Sequence, residues 1–173
     1  GKSEVRAAAF CAGDLMNGGK TLSAHLPERH LGMVFFRRVA ELGERPFVKL
    51  QRQGRFEEVS WKDFGVQVSR LMLGLDSSGI RKGEMVAIVA ENRLEWLFAD
   101  LATLASGLPN VVLSPRLSEA ALLKILRHCA ARAVFVENET AAGRTLNLKG
   151  QLPSLAHIIV MDAPLAPIDG AVS

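Results

Sequence analysis

Tyrosine is absent from this chain of 173 residues, and aromatic residues make up only 6% of it. Proteins that bind single-stranded nucleic acid stack the bases on aromatic side chains, so the chain has little material for such a surface. The net charge of +3 is small, and the basic residues are dispersed along the sequence. We therefore expect no nucleic acid among its partners.

Cysteines and long apolar runs are also scarce. Cys11 and Cys129 are too few and too far apart to form a disulfide framework, which favours a reducing compartment. No stretch approaches the roughly 20 apolar residues that a membrane-spanning helix needs. The apolar piece at residues 7–12 is short for a signal peptide and is soon followed by Asp14. We expect a cytoplasmic protein, at most peripheral to the inner face of a membrane.

What the sequence does contain is the composition of one folded domain. Hydrophobic residues make up 49% and charged residues 23%, as in globular proteins of this size. Residues 1–30 are mixed and rich in turn-forming residues, among them Gly18, Gly19 and Pro27, so they are expected to form an extended or poorly ordered leader. Residues 31–173 are predicted to form an α/β subdomain.

The first part of this subdomain reads as a helix, a hairpin and a second helix. Apolar residues recur at helical spacing from Leu31, and Gly43 supplies a stop. Alternating segments at 46–50 and 55–59 flank a turn at 52–54, which is typical of a β-hairpin. Ser60, with an acidic residue three positions later, is a predicted N-cap for a helix that ends at Gly79.

The second part alternates apolar strands with helices. Strands are predicted at 85–89, 111–113, 133–136 and 157–161, and helices at 94–106 and 119–129, with a weaker helix or loop at 140–148. Strands separated by helices pair in parallel through right-handed crossovers. The predicted fold is an α/β class: an open, mainly parallel sheet covered by helices on both faces, preceded by a helix and a β-hairpin.

One polar corner, Glu91-Asn92-Arg93, lies between a predicted strand and helix. Ligands of open α/β sheets gather where strands end, and a helix N-terminus favours anions, so the corner is a candidate binding site. Asn92 is equally a good N-cap, and Glu95 three residues later completes a capping pair. The capping interpretation is favoured over ligand binding.

Other motifs give no catalytic, cofactor-binding or metal-binding residue. The segment 13–21 resembles a phosphate-binding loop, but the first glycine of that motif would fall on Asp14. The four histidines show no metal-ligand spacing, and Cys129 has no neighbouring base, so a small buried thiol is favoured over a nucleophile. Glu95 and Asp100 are spaced like successive turns of one helix face and read as solvated or paired.

Several segments, taken in order, carry a resemblance to a known family. They are Ser60-Trp61-Lys62-Asp63-Phe64, Gly79-Ile80-Arg81-Lys82-Gly83-Glu84-Met85-Val86-Ala87-Ile88, Glu91-Asn92-Arg93-Leu94-Glu95-Trp96, Ala99-Asp100-Leu101-Ala102 and Leu152-Pro153-Ser154-Leu155-Ala156-His157-Ile158-Ile159-Val160-Met161-Asp162. From about Leu31 to Asp162 the sequence resembles the N-terminal region of adenylate-forming, AMP-binding enzymes, particularly long-chain fatty acid–CoA ligases (acyl-CoA synthetases).

The resemblance implies a reaction that this sequence does not carry alone. The family uses ATP and Mg²⁺ to convert a carboxylate into an acyl-adenylate, and then transfers the acyl group to coenzyme A. Its phosphate loop, acidic ribose-binding motif and C-terminal lysine have no counterpart here. The implied role is a scaffolding N-terminal fragment, inactive in isolation, that binds no cofactor itself. The implied partners are the remainder of the parent chain with its fatty acid, ATP and CoA, and a second copy in a homodimer.

Two departures from the family pattern leave the substrate open. Leu94 stands where the family commonly has proline, and Ser114-Pro115-Arg116 where it often has a Tyr-Pro-Thr type sequence. One alternative is a fragment of another adenylate-forming enzyme, such as an acyl-AMP ligase or an amino-acid adenylation domain. The other is a free-standing flavodoxin-like module that binds an anionic ligand at the polar corner.

Overall fold

The structure, a computed structural model, describes residues 30–52 and 54–162. The elements in these residues are α1 (Leu31–Leu42), β1 (Pro46–Arg52), β2 (Arg55–Ser60), α2 (Trp61–Ser77), β3 (Val86–Val89), α3 (Leu94–Ala105), β4 (Asn110–Leu113), α4 (Glu119–His128), β5 (Ala133–Val136), α5 (Glu139–Lys149) and β6 (His157–Val160). The segment at 140–148, which the sequence left between helix and loop, is therefore helical. None of the described helices has the length and apolarity needed to cross a bilayer.

Four strands form one parallel sheet in the order β4-β3-β5-β6, and the hairpin forms a separate antiparallel pair. The parallel strands start in register, because Val86 pairs with both Asn110 and Ala133, and Ala133 pairs with His157. Helices cover both faces of the sheet. The predicted fold class is thus confirmed. The sheet has two distinct ends: a carboxyl edge where the strands stop, and an amino edge where they start.

One face of the sheet packs against α1, α2, α3 and the hairpin, and this side is here called the aromatic layer. Phe64 on α2 is fully buried, with its ring centroid 4.8 Å from that of Phe47 and 4.6 Å from that of Phe98. Phe35 on α1 lies 5.8 Å from Phe64. The two helices approach closely at Gly65, where an added Cβ would lie 2.8 Å from a methyl group of Val39.

The other face packs against α4 and α5, and this side is here called the aliphatic layer. Among the described residues its buried cluster contains no aromatic side chain. Leu122 and Leu126 on α4 are buried against it, as are Val134 and Val136 of β5. Successive residues of β3 and β5 point to opposite layers, which explains why these strands are apolar throughout.

Local signals place two of the element starts. The Ser60 hydroxyl accepts a hydrogen bond from the backbone N–H of Asp63 at 3.0 Å and donates to its carboxylate at 2.7 Å, so the predicted N-cap of α2 is confirmed. At the start of β4 the Asn110 amide donates to Asp100 Oδ1 and to Thr103 Oγ1, each at 2.8 Å. Asp100 is therefore hydrogen-bonded to the first residue of β4. Of the two expectations for this carboxylate, solvated or paired, the second is confirmed.

Candidate functional site

The carboxyl edge of the sheet carries a charged residue just after each strand. Glu91 follows β3, Arg116 follows β4, Glu137 follows β5 and Asp162 follows β6. Because the four strands are parallel and in register, these residues meet at one edge. Ligands of open α/β sheets bind at such an edge, so this is the candidate site.

These charged groups are paired with one another across the strand ends. Arg116 Nε donates to Glu91 Oε1 at 3.0 Å, and the backbone N–H of Glu91 donates to Glu137 Oε1 at 2.7 Å. The backbone N–H of Asp162 in turn donates to the carbonyl of Glu137 at 2.9 Å. The Arg116 side chain is 84% exposed and that of Glu91 is 55% exposed, so their ion pair contributes little stability on its own.

Arg93 is the most embedded charge of the corner. Its Nε lies 2.6 Å from Glu95 Oε2 and its Nη2 lies 2.5 Å from Asp162 Oδ1. The carboxylate of Asp162, and next that of Glu95, raise the pKa of the Arg93 guanidinium above its ordinary value. Arg93 therefore ties the start of α3 to the end of β6, an arrangement that fixes local geometry rather than presenting a reactive group.

The predicted capping pair of Asn92 and Glu95 is wrong. The N-cap of α3 is Arg93, with extended φ and ψ of −149° and 168° and no side-chain capping bond, and Asn92 lies exposed one residue earlier. The carboxylate that was expected to reach back to Asn92 instead bonds the Arg93 side chain. Leu94 is consequently the first helical residue, the position at which proline is best tolerated in a helix.

The loop after β4 is held by α5. Arg144 Nη1 donates to the carbonyl of Pro115 at 3.0 Å, and its Nη2 donates to the carbonyl of Leu117. Ser114 accepts a hydrogen bond from the backbone N–H of Arg116 at 3.2 Å. This anchoring was not predicted from the sequence, since Arg144 is 27 residues or more from the carbonyls that it bonds.

The remaining chemical candidates do not assemble into a site. Among the described residues no group of three or more His, Cys, Asp or Glu side chains could hold a metal ion. Cys129 is half-buried at the end of α4, and burial raises the pKa of its thiol, which disfavours the nucleophilic thiolate. The phosphate-loop candidate at 13–21 and His25 lie outside the described residues.

The fold and this edge define a class: a helix-covered parallel α/β domain whose carboxyl edge is closed by ion pairs. A family model for AMP-binding enzymes matches residues 35–171. The chain belongs to the AMP-binding enzyme family, which confirms the resemblance read from the sequence.

Curated relatives of the chain are ligases of fatty acids. It is 28% identical over 121 residues to long-chain-fatty-acid–CoA ligase FadD15 of Mycobacterium bovis, covering 69% of this chain and 20% of that protein. It is 23% identical over 131 residues to long-chain-fatty-acid–CoA ligase ACSBG1 of Homo sapiens, covering 76% and 18%. A third, long-chain-fatty-acid–[acyl-carrier-protein] ligase AEE15 of Arabidopsis thaliana, is 29% identical over 104 residues, covering 60% and 14%. The chain thus spans a fifth or less of the length of these relatives.

Solved structures share the fold. The anthranilate CoA ligase AuaEII in complex with anthranoyl-AMP matches with a TM-score of 0.70 at 23% identity, covering 86% of this chain and 27% of that one. Acetoacetyl-CoA synthetase from Streptomyces lividans matches with a TM-score of 0.71 at 20% identity, covering 83% and 24%. At these identities the likeness shows the architecture, not the substrate.

Proposed function

We propose that this chain forms the N-terminal part of an ATP-dependent fatty acid–CoA ligase, in which it serves as a scaffold. The observation that carries the proposal is the match of residues 35–171 to the AMP-binding family, together with relatives that are named as long-chain fatty acid ligases. The parent would form an acyl-adenylate from ATP and then pass the acyl group to coenzyme A. Residues 1–30 would form a leader and residues 31–173 the scaffold itself.

The scaffolding role is supported by the state of the carboxyl edge. Its charged side chains are engaged with one another: Arg93 with Asp162, and Arg116 with Glu91. Adenylation needs cations and donors aimed at phosphates, and groups already paired are poorly placed for that work. We therefore assign ATP, Mg²⁺ and CoA to the remainder of the parent, and no chemical step to the described residues.

A direct test is ATP–pyrophosphate exchange by the purified chain with a panel of fatty acids. We expect no acyl-dependent exchange from the chain alone, and exchange from a longer polypeptide that contains it. A full-length fatty acid–CoA ligase serves as the positive control. Turnover by the pure chain would contradict the scaffolding role, whereas a longer polypeptide that exchanges only with amino acids would contradict the fatty-acid substrate.

The acyl acceptor has a second candidate. One relative is named for transfer to acyl carrier protein, so that protein is the alternative thiol. Supplying CoA or phosphopantetheinylated carrier protein to the longer polypeptide separates the two, because only the true acceptor accumulates as a thioester. A homodimer, a cytoplasmic location and a peripheral contact with a membrane are further parts of the proposal.

A further inference from the structure

Basic side chains collect at the amino edge of the sheet, opposite the ion-paired corner. The residues that precede the strands lie there, and so do the C-terminal ends of the helices that return to start the next strand. The basic residues of this edge are Arg81, Lys82, Arg127, Arg132 and Lys149, and the acidic ones are Asp76 and Glu84. The carboxyl edge has the opposite balance, with more carboxylates than guanidinium groups.

Contacts between loops show that these residues share one end of the domain. The backbone N–H of Gly83 donates to the carbonyl of Gly107 at 3.1 Å, which joins the loop before β3 to the end of α3. The Lys82 stem lies over Gly107, where an added Cβ would come within 3.0 Å of Lys82 Cε. On the other side of the sheet, Arg127 Nη2 donates to the carbonyl of Gln151 at 3.3 Å, which joins the ends of α4 and α5.

Most of the positive charge at this edge is unpaired. Glu84 accepts a bond from the backbone N–H of Arg81 at 2.6 Å, and its other oxygen lies 3.7 Å from Arg132 Nε. Lys82 and Arg127 are exposed and form no ion pair with another residue of the described part of the chain. Unpaired, exposed cations on both sides of one edge produce a positive field that attracts an anionic surface.

An apolar side chain lies on the face of α4 that ends at Arg127. Leu123 lines a shallow surface depression together with Ala120, Lys124, Arg127 and His128. Long basic side chains such as those of Lys124 and Arg127 extend their charged ends toward water or headgroups while their stems cover apolar surface. The aromatic side chains with which proteins stack nucleic acid bases are missing from this depression.

We propose that the amino edge docks on the anionic headgroup surface of a membrane. Charge complementarity carries the proposal, since Lys82 and Arg127, exposed cations from opposite sides of the sheet, both belong to this edge. Leu123 adds a small apolar contact at the interface. The choice of a membrane over another polyanion also rests on the proposed function, because long-chain fatty acids partition into lipid. Each Lys or Arg near the surface strengthens such binding about fivefold.

The test is co-sedimentation of the chain with vesicles of phosphatidylcholine, with and without phosphatidylglycerol, at low and high salt. We expect binding only to the anionic vesicles, and release at high salt. Lys82→Gln and Arg127→Gln, on opposite sides of the sheet, should each weaken binding about fivefold, and the double variant about 25-fold. Far-ultraviolet circular dichroism verifies that the variants remain folded.

The matched control removes the same charge elsewhere. Arg55→Gln on the hairpin and Arg70→Gln on α2 neutralise two exposed cations away from the amino edge, and their double variant should bind almost as well as the original chain. An equal loss in this control, equal binding to neutral vesicles, or preferential capture by duplex DNA of matched charge would overturn the proposal. The assay needs neither ATP nor fatty acid, so a failure of the proposed ligase function would leave its result unchanged.

Discussion

The two layers of this domain are built from different residues over the same sheet. In the aromatic layer the rings of Phe35, Phe47, Phe64 and Phe98 come from four elements and meet edge to face or tilted. In the aliphatic layer α4 and α5 contribute leucine and alanine, which pack against valines of the sheet. Aromatic rings in contact prefer certain mutual orientations in addition to burying apolar area. Aliphatic side chains have no such orientation preference, and their packing depends on how well they fill the space.

The difference between the layers matches their connectivity. The aliphatic layer is assembled from consecutive strand–helix units, so its contacts follow from the repeat along the chain. The aromatic layer joins α1 and the hairpin to that repeat, and neither of these belongs to the parallel sheet. We infer that the ring cluster is what holds α1 and the hairpin onto the domain. Substitutions in the two layers test this assignment.

The largest effect is expected from Phe64→Ala. Phe64 is fully buried and contacts rings from α1, the hairpin and α3, so truncation leaves a cavity shared by all of them. We expect a loss of about 4 kcal/mol in the free energy of unfolding. Urea denaturation followed by circular dichroism measures it.

Phe64→Leu is the control for this substitution. It retains most of the buried volume but removes the ring pairs, so the loss should fall to about 1–2 kcal/mol. If Phe64→Leu were as damaging as Phe64→Ala, the loss of stability would not arise mainly from the cavity.

A smaller loss is expected in the aliphatic layer from Leu126→Ala. Leu126 is buried against a cluster of small aliphatic side chains, and the cost should be about 3 kcal/mol. The same urea titration measures it, and Leu126→Met, which conserves volume, should cost less than about 1.5 kcal/mol.

Hydrogen exchange compares the two layers directly. Protection of hairpin amides against hydrogen exchange should fall in Phe64→Ala and persist in Leu126→Ala. If both variants lost hairpin protection equally, the ring cluster would not be what holds the hairpin onto the domain.

The sequence predicted those parts of the fold that local rules determine. β5 has the predicted bounds because Ala133–Val136 is apolar and flanked by polar residues, and Ser60 caps α2 as its spacing indicates. The segment that forms α5 remained ambiguous, because Ala141, Ala142 and Gly143 are small residues that do not distinguish a buried helix face from an exposed one.

Features that depend on distant partners were not predictable. The helix begins at Leu94 as predicted, but its N-cap is Arg93 and not Asn92, and the ion pair of Arg93 with Asp162 joins residues that are 69 positions apart. The amino edge is a similar case. Lys82 and Arg127 look dispersed along the chain, and only the parallel topology brings them to one end.

Two glycines of α2 distinguish the packed side of that helix from its open side. An added Cβ at Gly65 would lie 2.8 Å from a Val39 methyl group, whereas one at Gly74 meets nothing within 4 Å. Gly65→Ala should therefore cost about 1–3 kcal/mol through overpacking. Gly74→Ala should stabilise the chain by about 0.5–1 kcal/mol, because alanine is the better helix former. Thermal unfolding of the two variants measures the contrast, and stabilisation by Gly65→Ala would show that α1 is free to shift away from α2.

The smallest effect concerns the half-buried thiol of Cys129 at the edge of the aliphatic layer. Burial raises its pKa above the ordinary value of 9.0, so the folded state holds the thiol proton more tightly than the unfolded state does. The resulting stability is fully present below that ordinary value and is lost as the pH rises through the folded-state pKa. Urea unfolding at about pH 8 and about pH 10 should show a small loss of stability at the higher pH. Cys129→Ala should show a smaller loss, and Cys11 is present in both chains and cancels. An identical loss in the variant would mean that the alkaline sensitivity arises elsewhere and that this edge of the aliphatic layer is open to water.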